Sequence, residues 1–225
     1  QYQAEGRDAE FRIPACPKCE AGIDLCELKE GAGLLHCGYC DSLFTSSETH
    51  ELVIDGHTYG QCGECGYTDA LQTWNEFYFY FLVAIWGYSQ RERRTCASCT
   101  KRIGLRMALA NALFVLGWFH SFWALFLSGG NRHPRLQAMS KANGLARTGR
   151  FDQAQAIYAE LQDGWPENPL PSWNTCLAAG NAGRGEALAE ALGETLQRCP
   201  NYAPAIQLAA ALSQGADDED PSAEG

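Results

Sequence analysis

Hydrophobic residues are distributed unevenly along the chain, and three stretches carry different patterns. The first apolar run, FYFYFLVAIWGY, occupies residues 77–88. The second, MALANALFVLGWFHSFWALFL, occupies residues 107–127 and contains no charged residue. From about residue 136 to about residue 213, apolar positions recur at helical spacing. These patterns predict a short apolar element, then a long one, then a helical region.

The first apolar run predicts strands rather than a membrane helix. Its twelve residues are fewer than the roughly 20 that a helix needs to cross a bilayer. Aromatic and β-branched side chains dominate it, and these side chains favour β-structure. We therefore expect two aromatic strands that are joined near Gly87.

The second run is long enough for a transmembrane helix. Basic residues flank both of its ends, whereas a single span usually shows a charge difference between its ends. Equal flanks favour a helix–turn–helix that dips into one leaflet from the cytoplasmic side and breaks near Gly117–Ser121; a full span and a buried soluble core remain alternatives. The side chains expected to contact lipid are Phe114, Leu116, Trp118, Phe119, Phe122, Trp123, Leu125 and Phe126.

Eight of the eleven cysteines form four C-x-x-C pairs. The pairs Cys16/Cys19 and Cys37/Cys40 have the spacing of a zinc ribbon, in which two such turns supply four thiolates to one ion. Gly38 in the second turn tolerates the left-handed backbone that lets amides face sulfur. The alternative, a pair of redox dithiols, needs a βαβ context that the sequence around these pairs does not show.

The pairs Cys62/Cys65 and Cys96/Cys99 predict a second structural zinc site, with two unpaired turns or a disulfide as alternatives. If these four cysteines share one ion, the segment 66–95 leaves and returns on the same side and cannot cross a membrane. Three cysteines without a C-x-x-C partner are expected to act as small apolar residues. They are Cys26, Cys176 and Cys199, and the nearby His36, His50 and His57 are expected at the surface or in packing contacts.

The last third of the chain repeats with a period of 34 residues. Two glycines and two prolines mark the same positions in both units, and the first unit adds an aromatic, a small and a second aromatic residue. These repeat residues are Gly149, Phe151, Ala154, Tyr158, Pro166, Gly183 and Pro200. Over residues 136–212 the chain resembles the tetratricopeptide (TPR) family. The resemblance implies protein or peptide binding in a concave groove; a purely structural role for the repeats is the alternative.

Two further resemblances concern the cysteine-rich part. Residues 13–44, IPACPKC…LHCGYCDSLF, resemble the small N-terminal zinc ribbons of many bacterial proteins, which implies Cys16, Cys19, Cys37 and Cys40 as ligands. Residues 62–212 are similar to a group of bacterial proteins that place aromatic strands between two C-x-x-C turns, followed by an apolar Gly-Trp segment and short helical repeats. That group has no assigned activity, so the similarity informs architecture.

Charge is segregated along the chain, whose formal net charge is −10. Residues 77–151 contain eleven basic side chains and a single acidic one, whereas residues 1–70 contain four basic and 13 acidic ones. The basic block next to an apolar run favours contact with an anionic membrane surface. The acidic ribbons argue against nucleic acid, although a soluble zinc-ribbon regulator that binds nucleic acid through 91–150 is the alternative function.

Nothing in the sequence points to an enzyme, because four-thiolate sites leave no open coordination position and no phosphate-binding or nucleophile motif is present. His120 in the apolar run is expected to be a satisfied core histidine. We expect a non-enzymatic scaffold with two zinc ions and no small-molecule substrate. It would lie on the cytoplasmic side of a membrane and dock partner proteins through its ribbons and repeats.

The expected fold is α+β, with two β-rich zinc ribbons, an apolar helical segment or hairpin, and a short α-helical TPR-like array. The predicted divisions are zinc ribbon 1 at 11–46, zinc ribbon 2 with an aromatic strand insertion at 58–103, the apolar membrane-associated segment at 104–130, the repeats at 136–213 and a disordered acidic tail at 214–225.

Overall fold

A computed structural model describes residues 13–25, 34–45, 59–82, 85–111, 122–123, 126 and 133–217. Within these residues the chain is a mixed α and β protein, with two small antiparallel sheets followed by six helices. The sheets lie in the cysteine-rich half of the chain and five of the helices lie in the C-terminal half. This arrangement agrees with the predicted order of β-rich and helical parts.

The first sheet is a hairpin of β1 (Leu34–His36) and β2 (Leu43–Thr45), paired with Leu35 opposite Phe44. A single bridge between Ala15 and Gly22 lies beside it. The small core of this unit consists of two cysteines and four apolar side chains, namely Cys16, Ile23, Leu25, Leu35, Cys37 and Phe44.

The second sheet has the order β3 (Tyr59–Gln61), β4 (Thr68–Leu82), β5 (Ile85–Cys96). Its register pairs Leu71 with Cys96 at one end and Leu82 with Ile85 at the other. The chain therefore reverses between Leu82 and Ile85, and the predicted turn near Gly87 is wrong. Gly87 lies within β5 opposite Tyr80, because the pairing of β4 and β5 that starts at Cys96 continues without a break beyond this position.

Helix α1 (Ala97–Ala110) begins directly after β5 and packs against the hairpin of β4 and β5. Ile103 and Met107 are buried against Trp74, and Asn111 at the end of the helix donates a hydrogen bond to the carbonyl oxygen of Phe77 at 2.9 Å. The start of the predicted apolar run at residue 107 is thus part of a protein core. The predicted boundary at 104 falls inside this helix, and most of the remaining run lies outside the described residues.

The C-terminal half consists of α2 (Pro134–Arg147), α3 (Phe151–Gly164), α4 (Leu170–Asn181), α5 (Gly185–Arg198) and α6 (Ala203–Asp217). Helices α3 and α5 begin and end 34 residues apart, and α2 and α4 end 34 residues apart. The last helix continues to Asp217, so residues 214–217 of the predicted disordered tail are helical. Residues 218–225 lie outside the described part of the chain.

The same turn ends the first helix of each pair. Gly149 and Gly183 have positive φ angles of 76° and 68°. After α2, the amide of Gly149 donates to the carbonyl oxygen of Ala146 and the amide of Arg150 donates to that of Leu145, both at 3.0 Å. The turn after α4 repeats both bonds, so each unit ends its first helix in a Schellman motif.

The main core lies between these helices and extends into both sheets. Phe151, Ala154 and Tyr158 are buried in it, as the repeat pattern predicts, and so are Tyr67 and Leu43 from the cysteine-rich half. The predicted repeat residues Pro166 and Pro200 both lie in the turns that follow α3 and α5. Among the helices in the described ranges, none is both long enough and apolar enough to cross a membrane.

Candidate metal centres

Site 1 consists of Cys16, Cys19, Cys37 and Cys40, whose sulfur atoms all lie within 4.8 Å of one another. The Cys16 and Cys40 sulfurs are 3.7 Å apart, and the Cys19 and Cys37 sulfurs are 3.6 Å apart. Cys16 and Cys37 are buried, whereas Cys19 is exposed. Site 1 is therefore a four-sulfur cluster with one side open to solvent.

Three of the four C-x-x-C turns share one backbone conformation. In each, the residue after the second cysteine has a positive φ: 61° at Glu20, 55° at Asp41 and 76° at Gly66. The amide of that residue donates to the carbonyl oxygen of the first cysteine at 2.9 Å. The left-handed residue therefore follows the cysteine pair, and Gly38, which could tolerate that backbone, does not adopt it.

Site 2 consists of Cys62, Cys65, Cys96 and Cys99, again with all four sulfurs within 4.8 Å of one another. The sulfurs of Cys65 and Cys96 are 3.9 Å apart. Three of these cysteines are buried and Cys65 is partly buried. The hairpin of β4 and β5 thus leaves from Cys65 and returns to Cys96 at the same place, as the predicted topology requires.

The fourth turn of the set, Cys96–Cys99, has a different structure from the other three. Cys96 is the last residue of β5 and the N-cap of α1, and Cys99 lies in the first turn of that helix. The amide of Cys96 donates to the sulfur of Cys62 at 3.4 Å. Unpaired amides at a helix N-terminus favour negative charge, so this end of α1 suits a thiolate cluster.

The pKa values of the cysteines in each cluster shift in opposite directions, so the four thiols do not ionise equally easily. Burial opposes ionisation of Cys16, yet hydrogen bonds from the Ser42 hydroxyl and the Lys18 amide outweigh it and lower the pKa of this thiol to about 6. Burial raises the pKa of Cys37 to about 12. In site 2, hydrogen bonds from its three sulfur neighbours lower the pKa of Cys62, and the contact with Cys62 raises the pKa of Cys65. Ionising one thiol hinders the next, so four thiolates require a bound cation.

The donor set and spacing fit zinc. A tetrahedral ion with Zn–S bonds of about 2.3 Å places its sulfurs about 3.8 Å apart, close to the 3.6–3.9 Å found between neighbouring sulfurs. A disulfide would bring two sulfurs to about 2.05 Å, and the ten cysteines in the described ranges are free. Two tetracysteine sites that suit metal ions are therefore present, and the disulfide alternative does not hold for site 2.

The other cysteines and histidines in the described ranges lie outside both clusters. Burial raises the pKa of Cys176 to about 11 and that of Cys199 to about 12. Both side chains are fully buried. His36 packs edge-on against Tyr202, with 4.9 Å between ring centroids. The predictions for Cys26, His50, His57 and His120 fall outside the described residues.

Sequence reasoning missed a set of asparagines that fasten the helices to the metal-binding half. The side chain of Asn174 accepts from the amide of Thr68 at 2.9 Å and donates to its carbonyl oxygen at 2.7 Å. Asn201 bonds the amide and carbonyl of His36 in the same way, at 2.9 and 2.8 Å. For Asn174 an asparagine inside a helix was the available signal, since Asn is a weak helix former and buried polar groups need partners; Asn201 lies in the turn after α5 and gave no such signal.

Asn143 completes this contact at Thr68. It donates to the Thr68 carbonyl oxygen and to a carboxylate oxygen of Asp69, both at 3.2 Å, and accepts from the Tyr158 hydroxyl at 2.7 Å. The first helices of both pairs, α2 and α4, thus bind β4 of this chain through their inner side chains.

The predicted lipid-contacting residues are placed only in part. Phe122, Trp123 and Phe126 are exposed, and Trp123 stacks on Phe126 with 6.0 Å between ring centroids. The other five, Phe114, Leu116, Trp118, Phe119 and Leu125, lie outside the described residues.

Comparison of the chain with protein-family models, with curated proteins and with solved structures gives no match.

Proposed function

We propose that this chain is a non-enzymatic zinc-binding scaffold that associates with the cytoplasmic side of a membrane and docks partner proteins through its ribbons and TPR-like repeats. The observation that carries the proposal is the pair of tetracysteine clusters with tetrahedral sulfur spacing. Four sulfur ligands leave no position for substrate, which supports a structural role for the metal. The two helical pairs with equivalent glycine turns support the repeat interpretation.

Membrane association is supported by exposed apolar side chains on the hairpin and on α1, namely Trp86, Tyr88, Leu105 and Leu109. All four side chains are exposed, from 57% at Leu105 to 71% at Leu109. Trp86 is ten residues along β5 from Cys96, which corresponds to about 33 Å of strand. Helix α1 runs from Cys96 along the same hairpin, and its end is bonded to Phe77. Trp86 and Tyr88 therefore lie far from site 2, near the reversal of the hairpin, and Leu109 lies at the end of α1.

The exposed face of α1 also carries the charge that an anionic membrane attracts. Lys101, Arg102 and Arg106 are exposed on the same face as Leu105 and Leu109. Basic side chains near an anionic surface contribute about 1 kcal/mol each, and exposed aromatic rings suit the interfacial region. This combination favours a lipid surface over nucleic acid, because exposed leucines on the binding face can be buried in lipid but gain nothing from contact with phosphates.

The inner face of α2 and α4 is covered by the chain's own strand at Thr68. Partner docking through the repeats is therefore proposed for their other surfaces. A cleft of about 310 Å³ between α3, α4 and α5 is open, and Gln155, Thr175 and Glu190 are among its lining residues. A polar cleft between helices of adjacent pairs suits a peptide segment that offers hydrogen-bond donors.

Flotation of the full chain with vesicles tests the membrane half of the proposal. We expect the protein to float with vesicles that contain phosphatidylserine, less with neutral vesicles, and less at high salt. The double variant Leu105→Gln/Leu109→Gln is expected to lose flotation. The matched control Ile206→Gln/Leu212→Gln changes two exposed apolar residues of α6 and is expected to keep it. Recovery of the chain away from the vesicles would contradict membrane association.

A further inference from the structure

Arg147 connects the helical half of the chain to a sulfur of site 2. It lies in the last turn of α2, and its Nη1 donates to the sulfur of Cys99 at 3.2 Å. Its Nη2 donates to the hydroxyl of Ser98 at 3.3 Å. The guanidinium thus contacts two consecutive residues of the metal-binding turn, although 48 residues separate it from Cys99.

Charge explains why a guanidinium is suited to this place. Four thiolates around a divalent cation leave a net charge of −2 in a cluster whose Cys62, Cys96 and Cys99 are at most 1% exposed. A buried charge is costly unless it is paired or hydrogen-bonded. The Cys96 amide supplies one N–H to a sulfur of this site, and Arg147 supplies a second hydrogen bond that also brings a full positive charge.

Two other arginines of this region bind carboxylates. Arg93 lies 2.7 Å from Glu64 and 2.7 Å from Glu76, and Arg102 lies 3.6 Å from Glu64. Site 1 differs, since a neutral hydroxyl contacts its sulfurs: Ser42 Oγ lies 2.9 Å from the sulfur of Cys40. The Arg147 contact at site 2 therefore brings a full positive charge to a sulfur, whereas the Ser42 contact at site 1 brings none.

We propose that Arg147 is the charge-compensating residue of site 2, and that it couples metal binding there to the docking of the helical half. This inference rests on the proposed zinc at site 2. When the metal is bound, the ion holds four sulfurs as a cluster of net charge −2 beside the guanidinium; without the ion, nothing holds that charge in this place. The bond therefore stabilises the loaded form more than the stripped form, and by linkage it raises the metal affinity.

The test compares Arg147→Gln with Lys141→Gln in the full chain. Lys141 is exposed on the same helix, so its variant makes the same charge change without a sulfur contact. Chelator competition is expected to show that Arg147→Gln weakens zinc binding 10–100-fold at one of the two sites, the range typical of residues just outside a metal's ligands. A Cys19→Ser background, in which site 2 is the one complete site, assigns the weakened step. Lys141→Gln is expected to leave both steps unchanged.

A second readout separates charge compensation from ordinary packing. We expect Arg147→Gln to lower the unfolding temperature of the zinc-loaded chain more than that of the stripped chain, and Arg147→Lys to retain part of the affinity. Equal lowering in both forms, equal affinities of the Gln and Lys variants, or unchanged zinc binding in Arg147→Gln would overturn the inference. A wild-type chain that binds fewer than two zinc ions would instead contradict the proposed function.

Discussion

Gly149 shows how a single residue sets the shape of the first helical pair. Its φ of 76° is left-handed, and a Cβ built on it would meet no atom within 4 Å. The need for glycine is therefore one of backbone conformation and not of space.

Gly149→Val should lower the free energy of unfolding by about 1–3 kcal/mol, because a β-branched residue is strained at positive φ. Gly144→Ala is the matched control. Gly144 lies inside α2, is not among the residues with positive φ, and has an equally open Cβ position. Replacing a helical glycine by alanine should stabilise by about 0.5–1 kcal/mol. Urea unfolding measures both, and an unchanged curve for Gly149→Val would contradict the repeat alignment.

Asp69 carries a pH dependence that originates in burial. It is 1% exposed, and burial raises the pKa of its carboxyl group to about 7, although the Ala70 amide and Asn143 partly offset this. The folded chain thus holds this proton to higher pH than the unfolded chain does. The corresponding stability is fully present below about pH 4 and is lost as the pH rises towards 7.

The predicted contribution of Asp69 is a fall in unfolding free energy of about 1.4 kcal/mol per pH unit between pH 5 and pH 7. Asp69→Asn should remove this slope, whatever its effect on the absolute stability. The measurement is denaturant unfolding at pH 5, 6 and 7 with excess zinc for both proteins, so that protonation of the cysteines is common to the two. Parallel profiles would show that Asp69 does not hold the proton.

At the scale of elements, the sequence predicted the hairpin but not its turn. The C-x-x-C pairs fixed where the strands start and end, since the sulfurs of Cys65 and Cys96 belong to one cluster and lie 3.9 Å apart. The predicted turn near Gly87 was wrong because the two strands pair without a break from Leu71 and Cys96 to Leu82 and Ile85. Gly87 lies within this pairing, where a glycine is not needed. Local composition marks possible breaks, whereas pairing across the strands decides which of them are used.

The start of α1 at Cys96 could not be predicted from the local sequence either. The sequence treats all four C-x-x-C pairs alike, yet three are left-handed turns and the fourth opens a helix. Trp74 helps to explain the difference, because Ile103 and Met107 of α1 bury its ring. A helical partner for a distant strand residue cannot be read from the spacing of cysteines.

Cys96→Ser tests the link between site 2 and the hairpin. The variant should bind one zinc ion instead of two and should lose amide-exchange protection in β4 and β5 near Cys96, because the metal holds both ends of the hairpin together. Cys176→Ser is the matched control, since Cys176 is buried but outside both clusters. It should keep two ions, and two ions in Cys96→Ser would remove site 2 from the account.

At the scale of the whole molecule, side-chain amides join the two halves. Asn174 and Asn201 each bond both backbone groups of one strand residue, Thr68 and His36 respectively. The helices pack on the cysteine-rich half through these bonds and through Tyr67 and Leu43 in the shared core. Which residues make these contacts was not predictable, because each contact depends on two segments far apart in sequence.

Asn174→Ala should destabilise the chain by about 1–3 kcal/mol, because it leaves the buried Thr68 amide without this partner, whereas the Thr68 carbonyl oxygen keeps its bond from Asn143. Asn181→Ala, on the same helix, removes one bond to the Tyr67 hydroxyl at 3.0 Å and should cost about 0.5–1.5 kcal/mol. Thermal or urea unfolding compares them. Equal losses in the two variants would contradict a special role for Asn174.

The proposed structure and function depend on the two metal centres, since they would hold the hairpin in place and give the helices a surface on which to dock. Zinc X-ray absorption on the purified full chain, together with its zinc content, tests them most directly. The prediction is two zinc ions per chain, each with four sulfur neighbours at about 2.3 Å. Fewer than two ions, or nitrogen and oxygen atoms among the ligands, would contradict it.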